Sequence, residues 1–79
     1  MNIKSYLAQP HESRKEELFQ AISLMPNCEV VSAENRDVLV VITETQSKIE
    51  EEELYGNLEA IDSLRLLTLV SGFNAEKTE

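Results

Sequence analysis

Val38-Leu39-Val40-Val41-Ile42-Thr43 is the most strongly β-forming stretch in the chain. Five of its six residues are β-branched, and such side chains pack well on a pleated surface. Successive side chains alternate across a strand, so Val38, Val40 and Ile42 share one side while Leu39 and Val41 share the other. A sheet with one wet face should alternate apolar with polar residues. This stretch does not, which predicts a central strand with one face under helices and the other against something besides water.

The neighbouring segments fix its surroundings. Glu34-Asn35-Arg36-Asp37 is a short polar linker, and Cys28-Glu29-Val30-Val31-Ser32-Ala33 before it reads as a strand, so the two strands form a hairpin. Downstream, Ser47-Lys48-Ile49-Glu50 is a capping box that opens a helix to about Ile61, with Leu54, Leu58 and Ile61 on one stripe. Glu50 to Glu53 occupy its first turns, where the helix dipole favours negative charge. Asp62-Ser63 breaks the pattern, and Leu66 to Val70 supplies a further strand.

Upstream, Ile3 to Ala8 is a short strand closed by Gln9-Pro10, because proline cannot donate to a ladder. Ser13-Arg14-Lys15-Glu16 is a second capping box. Leu18, Ile22 and Met25, with Phe19 and Ala21 beside them, predict a helix from about Arg14 to Leu24. Pro26-Asn27 ends it, since the residue before proline leaves the α region and asparagine tolerates a left-handed cap. The order is strand, helix, strand, strand, helix, strand. This is an α+β, ferredoxin-like split βαβ arrangement, a four-stranded antiparallel sheet with two helices on one face. Residues 1–73 are expected to form a single domain, and residues 74–79 a flexible acidic tail.

Composition narrows the function. The chain has 79 residues, 42% of them apolar but only 5% aromatic, so a core must come from valine, leucine and isoleucine. Its formal charge is −8 with only seven lysines and arginines, scattered along the chain, which argues against nucleic-acid binding; the acid serves solubility in the plain reading and a cationic partner in the sharper one. Cys28 is the only cysteine, which rules out an internal disulfide and points to a reducing compartment. No stretch approaches the ~18 apolar residues that span a bilayer. A cytoplasmic protein without membrane insertion is the expectation.

Catalytic chemistry is hard to assemble from these residues. His11 is the only histidine, so neither a triad with a second histidine nor a multi-histidine metal site is available. Gly56 and Gly72 stand alone, so there is no phosphate loop. Glu50 to Glu53 point around a helix and do not converge on a cation. No enzyme activity, metal or cofactor is expected.

The hairpin indicates which residues face outward. Pairing Ala33 with Val38 sets Val31 beside Val40 and Glu29 beside Ile42, while Val30, Leu39 and Val41 share the other side. Glu29 is a poor candidate for burial under helices, so Val31, Ala33, Val38, Val40 and Ile42 are assigned to the open face. The same test on Lys4 assigns Tyr6 and Ala8 to that face, with Thr68 and Val70 as counterparts on the last strand. An apolar patch edged by Glu29 and Lys4 follows, and such patches mark interaction surfaces.

The residues also resemble the NapD family, cytoplasmic chaperones of periplasmic nitrate reductase, over roughly Ile3 to Gly72. The resemblance is carried by Ile3-Lys4-Ser5-Tyr6-Leu7, by the junction Met25-Pro26-Asn27-Cys28-Glu29-Val30, by Val38 to Ile42 and by Leu67-Thr68-Leu69-Val70. The junction has Pro26-Asn27 where the family has proline and glycine, and Ser71-Gly72-Phe73 stands in place of an aromatic-histidine ending. The resemblance implies binding of the twin-arginine signal peptide of the nitrate-reductase catalytic subunit, which delays export until the molybdenum cofactor is inserted. Tyr6, Val31, Val38, Val40, Ile42 and Val70 would then meet the apolar part of the peptide, and Glu29 an arginine. The protein would be a monomer or weak homodimer. The alternative is a ferredoxin-like oligomerisation or small-ligand sensing module that buries the same face in a homodimer.

Overall fold

The structure, a computed structural model, describes residues 2–74. The elements are β1 (Asn2–Pro10), α1 (Lys15–Ser23), β2 (Cys28–Ser32), β3 (Leu39–Thr45), α2 (Lys48–Glu59) and β4 (Leu64–Asn74). The four strands form one antiparallel sheet in the order β2-β3-β1-β4. β3 is central, as its two apolar sides require. α1 lies against β2 and β1, and α2 against β3 and β4. The architecture is the expected ferredoxin-like βαββαβ.

The core lies between helices and sheet. Leu18 and Ile22 of α1 and Leu54 and Leu58 of α2 are buried against Leu39 and Val41 of β3 and Tyr6 and Ala8 of β1. Phe19, Met25, Val30, Tyr55, Ile61 and Leu67 close its margins. Tyr6 packs on Tyr55 with ring centroids 5.8 Å apart and planes tilted by 40°, a favourable aromatic geometry.

Only one of the two capping boxes forms. Ser47 is extended at the start of α2, and its hydroxyl accepts the Glu50 N–H at 3.1 Å. The Glu50 carboxylate returns to the Gln46 N–H at 2.6 Å, one residue earlier than in the usual box. At α1 the N-cap is Arg14, with no side-chain cap, and Ser13 has φ 68°. A capping serine needs extended backbone, so Ser13 cannot act as predicted. Arg14 instead donates to Glu17 at 3.0 and 2.6 Å and reaches Asp62 at 3.3 Å, tying the start of α1 to the turn before β4. Asn27 adopts φ 63° after Pro26, the left-handed exit expected of it.

The outer strands differ in kind. β2 has five residues, whereas β4 has eleven and outruns the predicted Leu66 to Val70 because its pairing with β1 continues to Asn2↔Asn74. Two irregularities interrupt that pairing. Tyr6↔Leu69 is followed by Ser5↔Ser71, leaving Val70 without a partner, and Gln9↔Leu66 by Pro10↔Leu64, leaving Arg65 without one. Asn74 belongs to β4 and not to the predicted tail, and residues 75–79 of that tail lie outside the described residues.

Candidate functional site

The sheet face away from the helices presents a row of apolar side chains that no other described element covers. On β3 the residues alternate: Leu39, Val41, Thr43 and Thr45 are buried beneath the helices, while Val40 and Ile42 are only partly buried on the other side. The hairpin register is the one the sequence predicts, with Val31↔Val40, Glu29↔Ile42 and Val30↔Val41, and the Ala33 N–H donates to the Val38 carbonyl at 3.3 Å. Val31 is 51% exposed on this face, and Glu29 is exposed beside Ile42.

β1 corrects the predicted set. Tyr6 pairs with Val41 and Ala8 with Leu39, which puts both on the helix-covered face, where they are 5% and 0% exposed. The reason is Lys4. It shares their side of the strand, yet it needs no open face, because at the sheet end its flexible stem carries the ammonium to Glu51 of α2. Lys4 therefore does not edge the open patch. Ile3, Ser5, Leu7 and Gln9 line the open face in place of Tyr6 and Ala8, with Ser5↔Ile42 and Leu7↔Val40. Their apolar members could have been found by pairing β1 to β3 before assigning Lys4 to water.

On β4, Thr68 pairs with Leu7 and Leu66 with Gln9, which places both on the open face. Leu66, 48% exposed, is an apolar member the sequence reasoning missed. Val70 is 58% exposed at the irregularity beside Ser5. The result is an apolar strip, Ile42 and Val40 on β3 with Leu7 on β1, flanked by Val31 and Leu66 on the outer strands; Val38, predicted to open the strand, lies in the turn just before β3 and is partly buried.

The charges around this strip are unevenly placed. At one end Glu29 sits beside Ile42, and Glu44 lies two residues further along the same side of β3. Asn27, Cys28, Glu29, Ile42 and Glu44 enclose a shallow hollow of about 400 Å³ there. Among the described residues neither carboxylate makes an ion pair. At the other end the Arg65 guanidinium donates to the Gln9 side-chain oxygen at 2.7 Å. Cys28 sits between the hollow and the core, and its partial burial pushes the thiol pKa up, which disfavours the thiolate and leaves it a packing residue. Among the described residues no group of histidine, cysteine or carboxylate side chains converges as a metal site, and no helix is long and apolar enough to cross a membrane.

A family model described as NapD protein matches residues 1–71. The fold is similar to the solution structure of the E. coli Tat proofreading chaperone protein NapD, with a TM-score of 0.79 and 18% identity. That match covers 98% of this chain and 82% of the other. No curated protein sequence matches the chain.

Proposed function

The chain belongs to the NapD family, whose members are chaperones and not enzymes, and from that premise we propose that it acts as a cytoplasmic chaperone for a twin-arginine signal peptide. The peptide is that of the periplasmic nitrate-reductase catalytic subunit, and holding it delays export until the molybdenum cofactor has been inserted. The mechanism is sequestration, with no bond made or broken.

The observation that carries this reading is the uncovered apolar strip on the sheet. Val40 and Ile42 sit on a central strand, on the face opposite both described helices. A twin-arginine peptide couples a basic segment to an apolar one. The strip matches the second part, and a net charge of −8 attracts the first. Val31, Val38, Val40 and Ile42 receive the apolar segment, with Val70 at the margin, and Glu29 an arginine. Tyr6 contributes from beneath, by fixing β1 against the core.

Titration of the purified protein with synthetic twin-arginine peptides tests the proposal. Binding should be measurable at low salt, weaken as salt is raised, and fall at least tenfold in Val40→Asp, the equivalent of about 1.4 kcal/mol. Absence of binding by any such peptide at low salt, or equal binding by Val40→Asp, refutes it. An obligate dimer that hides the strip would favour a homodimeric module instead.

A further inference from the structure

We infer that the open face fixes the direction of the peptide it holds, with the arginine end over Glu29 and Glu44 and the apolar segment running toward Gln9 and Arg65. This rests on the peptide-binding reading above and adds an orientation to it. Three observations support it.

The first is the asymmetry of charge. Glu29 and Glu44 are diagonal neighbours on β2 and β3 at one end of the strip, and among the described residues both lack an ion-pair partner. The ion pairs among the described residues lie elsewhere, as Lys4 with Glu51 and Arg14 with Glu17 and Asp62. None of the described lysines and arginines pairs with either carboxylate, and both are exposed to a visiting guanidinium.

The second is shape. The shallow hollow of about 400 Å³ lined by Asn27, Cys28, Glu29, Ile42 and Glu44 has volume enough for an arginine side chain, and the apolar strip begins at its wall with Ile42. A guanidinium entering it meets carboxylate on two sides, which favours arginine over a point charge.

The third is the opposite end. Six residues from Glu44, a span of roughly 20 Å, the face finishes at Val38 just before β3, with Arg65 anchored on Gln9 of β1. A basic segment placed there would meet a like charge. The turn beside Val38 adds Glu34, Arg36 and Asp37, so with Arg65 this end is balanced in charge, and the reversed peptide loses two attractions without gaining any.

The test uses a synthetic peptide with an arginine pair followed by an apolar run, carrying a nitroxide at either end, added to the full chain labelled for amide NMR. A nitroxide beside the arginines should broaden the amides of Glu29, Ile42 and Glu44, and one at the far end those of Ala33, Val38 and Leu66. The reverse pattern, or equal broadening from both labels, overturns the orientation while leaving binding to the face intact. Failure of the unlabelled peptide to shift any open-face amide removes the peptide-binding reading and the orientation together. In a second arm, Glu29→Gln with Glu44→Gln should weaken the arginine peptide roughly fivefold to tenfold, as expected for two partly exposed charge pairs. A peptide with glutamines in place of the arginines should be indifferent to the same change. Equal losses for both peptides would also overturn the inference.

Discussion

At the scale of single residues, two buried side chains make opposite predictions. Ser63 is 1% exposed, and its carbonyl accepts the His11 N–H at 2.9 Å, yet among the described residues its hydroxyl has no partner. A buried hydroxyl without a partner costs about 1–3 kcal/mol, so Ser63→Ala should leave the protein as stable or raise its urea midpoint. Tyr6 behaves otherwise. Burial first, and then Tyr55 and Cys28 nearby, hold its pKa above 10.0. The folded state therefore keeps the proton more tightly than the unfolded chain, and this stability is complete below pH 10 and lost as pH rises through the folded value. Alkaline unfolding of Tyr6→Phe should accordingly be shallower than that of the wild type, as followed by circular dichroism across that range. The residue scale is also where sequence reading failed. The rule that lysine seeks water puts Lys4, and with it Tyr6 and Ala8, on the open face, whereas Lys4 meets its charge requirement on Glu51 at the sheet margin and all three lie on the helix side.

At the scale of elements, the two helix starts separate a capping motif from a capping sequence. Ser47 and Ser13 open similar four-residue strings, but only Ser47 has the extended backbone that presents its hydroxyl to the third residue's N–H. Ser47→Ala should therefore cost about 1 kcal/mol, while Ser13→Ala should stay within about 0.5 kcal/mol; chemical denaturation of both variants checks the contrast. The elements themselves were largely legible. The helices fall within one or two residues of prediction because 3.6-residue spacing is a strong signal, and the β2–β3 register follows from a four-residue turn, with Glu29 marking the open side. β4 was too short in the prediction because Ser71, Gly72 and Asn74 have weak strand propensity, and their pairing is enforced by β1 across the sheet, which no local rule reports.

At the scale of the whole molecule, core and open face respond differently to substitution. Leu18→Ala removes a fully buried side chain from beneath the sheet and should cost 2–5 kcal/mol. Val40→Asp changes the uncovered side, and its thermal transition should remain cooperative even as peptide binding is lost. Sizing at increasing concentration should show a monomer or weak dimer, and added peptide should shift it toward the monomer. The apolar face was legible in the sequence because a strand apolar on both sides has no reason to be so in a sheet covered once. Its charge polarity was only half legible. Glu29 could be placed from the hairpin, whereas Glu44 and Arg65 needed the positions of β1 and β4. The displaced pairings at Val70 and Arg65 bear on the molecule's behaviour in a crowd. A long outer strand with evenly spaced free amides would template another copy and grow into fibres, the more readily beside an oily face. Two skipped partners within six residues break that spacing, so the surface that must stay greasy to do its work adjoins a border on which further strands cannot stack in register.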